Sequence, residues 1–260
     1  MTQQRQERPK RPSTTAQAEV ELAIFLMDGS GSMCIPDEGA IDTYDGRKKE
    51  EHLVEIVRST LETMHRSSKR DAFRVSLIYF SEGAEAEEVE VREANTMYFP
   101  VETAMEVLKP PSEITHAGLT SIVAALSKAR GVLDAVNEDV GLPSNKFATV
   151  FLLTDGHENM QSAQEVYEEL GKLHSHGLSP TMATVSFGMD TDNQLLLDIA
   201  NEPSERQVRH LELAGVLGEI HQEPRKLFLR GHSDGEVTEA QAKAIRNFLN
   251  VLSMTIEQQD

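Results

Sequence analysis

Four short, nearly unbroken apolar runs constrain this chain more than any other feature: Val20–Met27, Phe73–Phe80, Phe147–Leu153 and Thr181–Phe187. A strand with one wet face alternates apolar and polar residues, whereas a strand covered on both faces does not. Between the runs lie segments with apolar residues three and four apart, the spacing of one helix face. Leu53, Ile56, Val57, Leu61 and Met64 form one such stripe, and Ile122, Leu126, Ala129, Leu133 and Val136 a second. Ala163, Val166, Tyr167, Leu170 and Leu173 form a third, opened by Ser162 and Glu165 at capping-box spacing. A shorter helix is expected from about Thr191–Gln194, burying Leu196, Leu197 and Ala200, and another over Leu213–Ile220. Buried strands alternating with amphipathic helices predict an α/β fold: a doubly wound, mostly parallel sheet flanked by helices. Glu87–Val91 alternates Val with Glu, as expected of an antiparallel edge strand whose charges discourage sheet-to-sheet pairing.

The ends of the chain read differently. Residues 1–17 are polar, with Arg5, Arg8, Lys10 and Arg11 against Glu7, and are expected to be a disordered basic arm. Residues 18–222 form the predicted domain. Residues 223–260 are a C-terminal extension, a polar turn and then an amphipathic helix carrying Ile245, Phe248, Leu249 and Leu252. The 260-residue chain has a net charge of −18, so nucleic acid is not an expected partner. Its single cysteine, Cys34, excludes an internal disulfide and suggests a reducing compartment. With neither an apolar leader segment nor a run of membrane-spanning length, a cytoplasmic protein without membrane contact is expected.

The chemistry concentrates where strands end. The first apolar run is followed by Asp28-Gly29-Ser30-Gly31-Ser32-Met33, and the third by Thr154-Asp155-Gly156. In an open α/β sheet, ligands bind beyond the carboxyl ends of the strands. Thr120, in Gly118-Leu119-Thr120-Ser121, stands where a long helix begins, at the same predicted rim. Carboxylate and hydroxyl oxygens are hard donors suited to Mg2+.

The order D-x-S-x-S, a threonine about ninety positions on, then T-D-G after a strand, resembles the von Willebrand factor type A family. The resemblance runs from about Val20 to Ile220. It implies that family's Rossmann-like fold and a metal ion-dependent adhesion site, with metal contacts from Asp28, Ser30, Ser32, Thr120 and Asp155. Mg2+ is the implied ion, with Mn2+ or Ca2+ as alternatives. One departure concerns the threonine: the family often has Gly-Gly-Thr, and this chain has Gly118-Leu119-Thr120, which leaves Thr115 as a second candidate. Two aspartates and a divalent ion sum to about zero charge, so the ion stays open to a carboxylate from a partner protein.

The expected function is therefore a non-enzymatic, metal-dependent adaptor that captures a partner's Asp or Glu. Resemblance to intracellular bacterial relatives suggests an ATPase, kinase or phosphatase partner in a stress or defence system. A metal-dependent hydrolase is one alternative and would need a base such as His157. Another is an idle metal site, with binding through the C-terminal helix. The segment Cys34–Lys48 carries Asp37, Glu38, Asp42 and Asp45 and could guard the metal's open position; Asp37, Glu38 and His157 are candidate partner contacts. Cys34 is expected to be structural, and His174 and His176 to end a surface helix, since residues two apart do not share a helical face.

Overall fold

A computed structural model describes residues 19–41, 46–81, 87–88, 97–115, 118–156, 161–187, 193–200 and 210–212. The strands are β1 (Glu19–Asp28), β2 (Phe73–Phe80), β3 (Glu87–Glu88), β4 (Asn145–Thr154), β5 (Thr181–Ser186) and β6 (His210–Glu212). The helices are α1 (Gly31–Cys34), α2 (Lys49–Arg66), α3 (Val101–Val107), α4 (Ile122–Glu138), α5 (Ala163–His174) and α6 (Asn193–Ala200). Among the described residues the strands form one sheet in the order β3-β2-β1-β4-β5-β6. Every pairing is parallel except β2 with β3, where Ile78 faces Glu88 and Tyr79 faces Glu87. The four apolar runs are thus the four central strands, and the edge strand is antiparallel.

The two faces of β1 explain its lack of alternation. Ala23, Phe25 and Met27 pack on the side of α2 and α3, with Leu53, Val57 and Val101. Leu22, Ile24 and Leu26 pack on the side of α4, α5 and α6, with Leu126, Leu133 and Val166. Phe25 stacks on Phe151 of the neighbouring β4, ring centroids 4.9 Å apart. Burial of a side chain of this size contributes roughly 1.5–3 kcal/mol relative to exposure, so both faces stabilise the sheet. Because β1 lies between β2 and β4 and is covered on both sides, its carboxyl end emerges at the centre of the rim.

The helical stripes hold with local corrections. Ser162 and Glu165 form the capping box at the start of α5. Val166 and Leu173 are fully buried, but Tyr167 is 40% exposed and donates its hydroxyl to Asp198 of α6 at 2.7 Å. The buried stripe of α5 is therefore narrower than its apolar spacing suggests. Phe147, at the start of β4, is half exposed because the first residues of that strand lie outside the helical cover. Helix α3 has no counterpart in the sequence reading. At seven residues it is too short for periodicity to mark, although Val101 and Ala104 anchor it in the core. Strand positions 89–91, the basic arm, the Leu213–Ile220 helix and the C-terminal extension lie outside the described residues.

Candidate metal centre

The site is built where β1 and β4 end side by side, Met27 being paired with Leu153. After Asp28 the chain still donates from Gly29 N–H to the Phe80 carbonyl at 2.8 Å, then leaves the sheet. Gly29 is required by crowding: a Cβ there would lie 2.2 Å from Thr115 Oγ1 and 3.1 Å from Pro111 Cβ. Ser30 then starts the single turn of α1, which is pinned by the fully buried Met33. The Gly31 N–H donates to the Gly118 carbonyl at 2.9 Å, drawing the loop that carries Thr120 onto the Asp28–Ser32 segment.

Asp28 is fully buried, and both of its oxygens are engaged. Oδ1 accepts from the Ser30 N–H at 2.8 Å, and Oδ2 accepts from the Thr154 hydroxyl. Thr154 is itself oriented by the Gly156 N–H, which donates to its oxygen at 3.0 Å. Gly156 has φ +88°, the left-handed conformation that favours glycine. Ser30 and Ser32 hydroxyls lie 3.2 Å apart. Burial, and then the charge of Asp155, push the Asp28 carboxyl up to about 7. Two carboxylates this close and this dry disfavour each other's ionisation unless positive charge is supplied.

Asp155 is fully buried as well. Its Oδ2 accepts from Lys49 Nζ at 3.3 Å, and the two side chains are 0% and 5% exposed. Its Oδ1, together with Thr120 Oγ1, is buried with no hydrogen-bond partner among the described residues. A buried oxygen without a partner costs about 1–3 kcal/mol, so unpaired oxygens here mark positions suited to another ligand. With two carboxylates, serine and threonine hydroxyls and these orphaned oxygens, the donor set fits a hard divalent cation. Among the described residues no group of three or more His, Cys, Asp or Glu is placed to hold a metal, which sets this donor set apart from a zinc-type cluster.

The two threonines differ in their hydrogen bonding. Thr115 donates its hydroxyl toward the carbonyls of Gly29 at 3.2 Å and Pro111 at 3.1 Å, so it braces the loop. Thr120 remains as the hydroxyl with unused bonding capacity. The next residue, Ser121, caps α4 by accepting from the Ala124 N–H at 3.3 Å and donates to Gln161 at 2.9 Å.

Asp37 and Glu38 fall in a short 3-10 turn, Pro36–Glu38, and both are exposed. Glu38 nonetheless reaches back to the motif: a Cβ on Gly31 would meet its Oε2 at 1.7 Å. Asp42, Asp45 and His157 lie outside the described residues. Cys34 is buried, and burial, followed by the Glu50 carboxylate, pushes its thiol far up, as a structural thiol requires. His176 contacts Asp134 at 3.1 Å.

The sequence did not reveal Lys49. Fifteen residues separate it from Met33, and the Lys48-Lys49-Glu50-Glu51 segment reads as an ordinary solvated helix start. Thr154 was legible as part of Thr154-Asp155-Gly156, but not its role as donor to Asp28. Ser186, at the end of β5, also has a buried hydroxyl without a partner among the described residues.

Fold and site together define a class: a doubly wound α/β domain whose strand ends carry an oxygen-lined, cation-suited cradle. The sequence model of the von Willebrand factor type A domain matches residues 24–223, and the chain belongs to that family. Among solved structures, a von Willebrand factor type A protein from Catenulispora acidiphila matches 90% of this chain with TM-score 0.55 and 14% identity, over 42% of its own length. The pilus adhesin SpaC from Lactobacillus rhamnosus GG, in an open conformation, matches 91% with TM-score 0.56 and 13% identity, over 30% of its length. Proximal thread matrix protein 1 from the mussel byssus, in a form with a zinc-occupied metal ion-dependent adhesion motif, matches 79% with TM-score 0.51 and 15% identity, over 44% of its length. The chain thus spans less than half the length of these three structures. A search of curated proteins returned no match.

Proposed function

We propose that this chain is a metal-dependent protein-binding module, not an enzyme, in which Asp28, Ser30, Ser32, Thr120 and Asp155 hold Mg2+ or Mn2+, some of them through water. The observation that carries the reading is the pair of orphaned buried oxygens, Thr120 Oγ1 and Asp155 Oδ1, beside two carboxylates whose charge Lys49 offsets only in part. The zinc-occupied motif of the mussel relative supports the same use of this cradle. When bound, a divalent cation supplies a coordination position for a partner's Asp or Glu carboxylate. The chain's own groups do the rest. Thr154 and the Ser30 N–H fix Asp28, the Gly31–Gly118 bond holds the Thr120 loop in place, and neutral hydroxyls leave the centre attractive to an anion.

The proposed setting is a cytoplasmic adaptor with an ATPase, kinase or phosphatase partner in a bacterial stress or defence system. Among the described residues no helix is long and apolar enough to cross a membrane, which is compatible with that setting. The test is affinity capture with the full chain in Mg2+ and in EDTA, beside an Asp28→Ala variant. Partners retained in Mg2+ and lost under both perturbations are expected. Capture that survives EDTA and the substitution alike would overturn the metal-dependent reading. Hydrolysis of phosphate esters or peptides that disappears in Asp28→Ala would replace it with an enzymatic one.

A further inference from the structure

We propose that Lys49 is a resident counter-cation of this centre: it grips one oxygen of Asp155, leaves the other free for the divalent ion, and lowers the centre's metal affinity by its own charge. The inference rests on the metal-binding reading above and deepens it.

The position of Lys49 is unfavourable on two counts unless Asp155 compensates. It lies in the first turn of α2, where the helix dipole disfavours a cation. It is also buried, where an unpaired ammonium would be costly. Its backbone is fixed by an N–H donated to the Ala40 carbonyl at 2.8 Å, and its ammonium meets Asp155 Oδ2 at 3.3 Å. Asp155 Oδ1 has no such partner among the described residues. The carboxylate is therefore held by one oxygen and presents the other.

The charge count follows from this geometry. Asp28 and Asp155 contribute two negative charges when ionised, and Lys49 cancels one of them. A divalent ion entering the cradle therefore meets one net negative charge instead of two. That weakens metal binding, and the poor screening of the interior makes the effect large. In return, Lys49 keeps the acidic pair compatible with folding when metal is scarce.

The test is calorimetric titration of Mn2+ alone into the metal-stripped full chain, comparing wild type with Lys49→Met and Lys49→Gln. Circular dichroism melts in EDTA identify the variants that fold. Either folded neutral variant should bind Mn2+ roughly ten- to a hundredfold more tightly than wild type. It should also melt at a lower temperature in EDTA and show a larger rise in melting temperature on adding Mn2+. Tight binding by a variant when wild type binds too weakly to measure supports the inference equally. Measurable binding by wild type that is unchanged or weaker in the folded variants overturns the role of Lys49 and leaves the metal site standing. Absence of Mn2+ binding in wild type and folded variants overturns both.

Discussion

Replacing Asp28 by asparagine tests the electrostatics of the centre without metal. In the folded protein the Asp28 carboxyl is raised from 3.8 to about 7, first by burial and then by Asp155. A group raised in this way prefers its protonated form in the native state. Its stabilising effect is complete below the unfolded value and is lost as pH rises through the folded one, so the relevant window is about pH 4 to 7. The loss across that window amounts to about 4 kcal/mol. Asparagine does not ionise and so removes the loss. Its Oδ1 can keep the Ser30 N–H, but its amide cannot accept from Thr154, which costs about 1 kcal/mol. In EDTA, Asp28→Asn should therefore be about 1 kcal/mol less stable than wild type at pH 4 and about 3 kcal/mol more stable at pH 8. Urea denaturation at 25 °C, at several pH values in that range, reads both numbers. Mg2+ at a thousand times its Kd at pH 8 should reverse the order: it adds about 4 kcal/mol, and only wild type retains the carboxylate that binds it. Stability curves that run parallel in the two proteins from pH 4 to 8 would refute the argument, since they would show that Asp28 does not titrate against burial and a neighbouring charge.

Two further predictions concern the loops. Thr120→Val should weaken Mn2+ binding by about tenfold or more while leaving stability in EDTA within about 0.5 kcal/mol, because its hydroxyl has no partner to lose among the described residues; Thr115→Val should do the opposite, costing about 1 kcal/mol of stability. Titration calorimetry and urea melts on the same two variants separate these roles. Gly29→Ala should destabilise the fold by about 2 kcal/mol or more, since the new methyl meets Thr115 and Pro111 within 3.2 Å, and both are held by the loop they belong to. A melt indistinguishable from wild type would show that the loop yields freely.

Much of this architecture was readable from the residues because long-range burial leaves a local trace. A strand covered on both faces is apolar at most of its positions, so β1, β2, β4 and β5 stand out within two residues of their ends. Asp28, Ser30, Ser32 and Asp155 were legible for a related reason: each closely follows a strand, and strand ends converge at one rim, whereas Thr120 was marked by the start of α4. What escaped was set by contacts between distant segments. Thr115 and Thr120 differ only in which carbonyls lie nearby, which no spacing records. Lys49 sits 106 positions from Asp155, and a lysine at a helix start has the same sequence context whether it is solvated or buried. Helix α3 is short enough that its packing against α2 and β2, not its pattern, defines it.

The adjacency of β1 and β4 also has a consequence for how the protein comes into being. Asp28 and Thr154 are 126 positions apart, and their contact depends on pairing the first strand with one that is made much later. Such closure is slow compared with local helix formation. A chain emerging from the ribosome can build α2 and align β1 with β2, yet its acidic pocket stays half-assembled until residue 155 has been synthesised and released. On the proposed reading, ion capture would then be a late event in biogenesis, and a metal supplied early would find only one wall of its chamber.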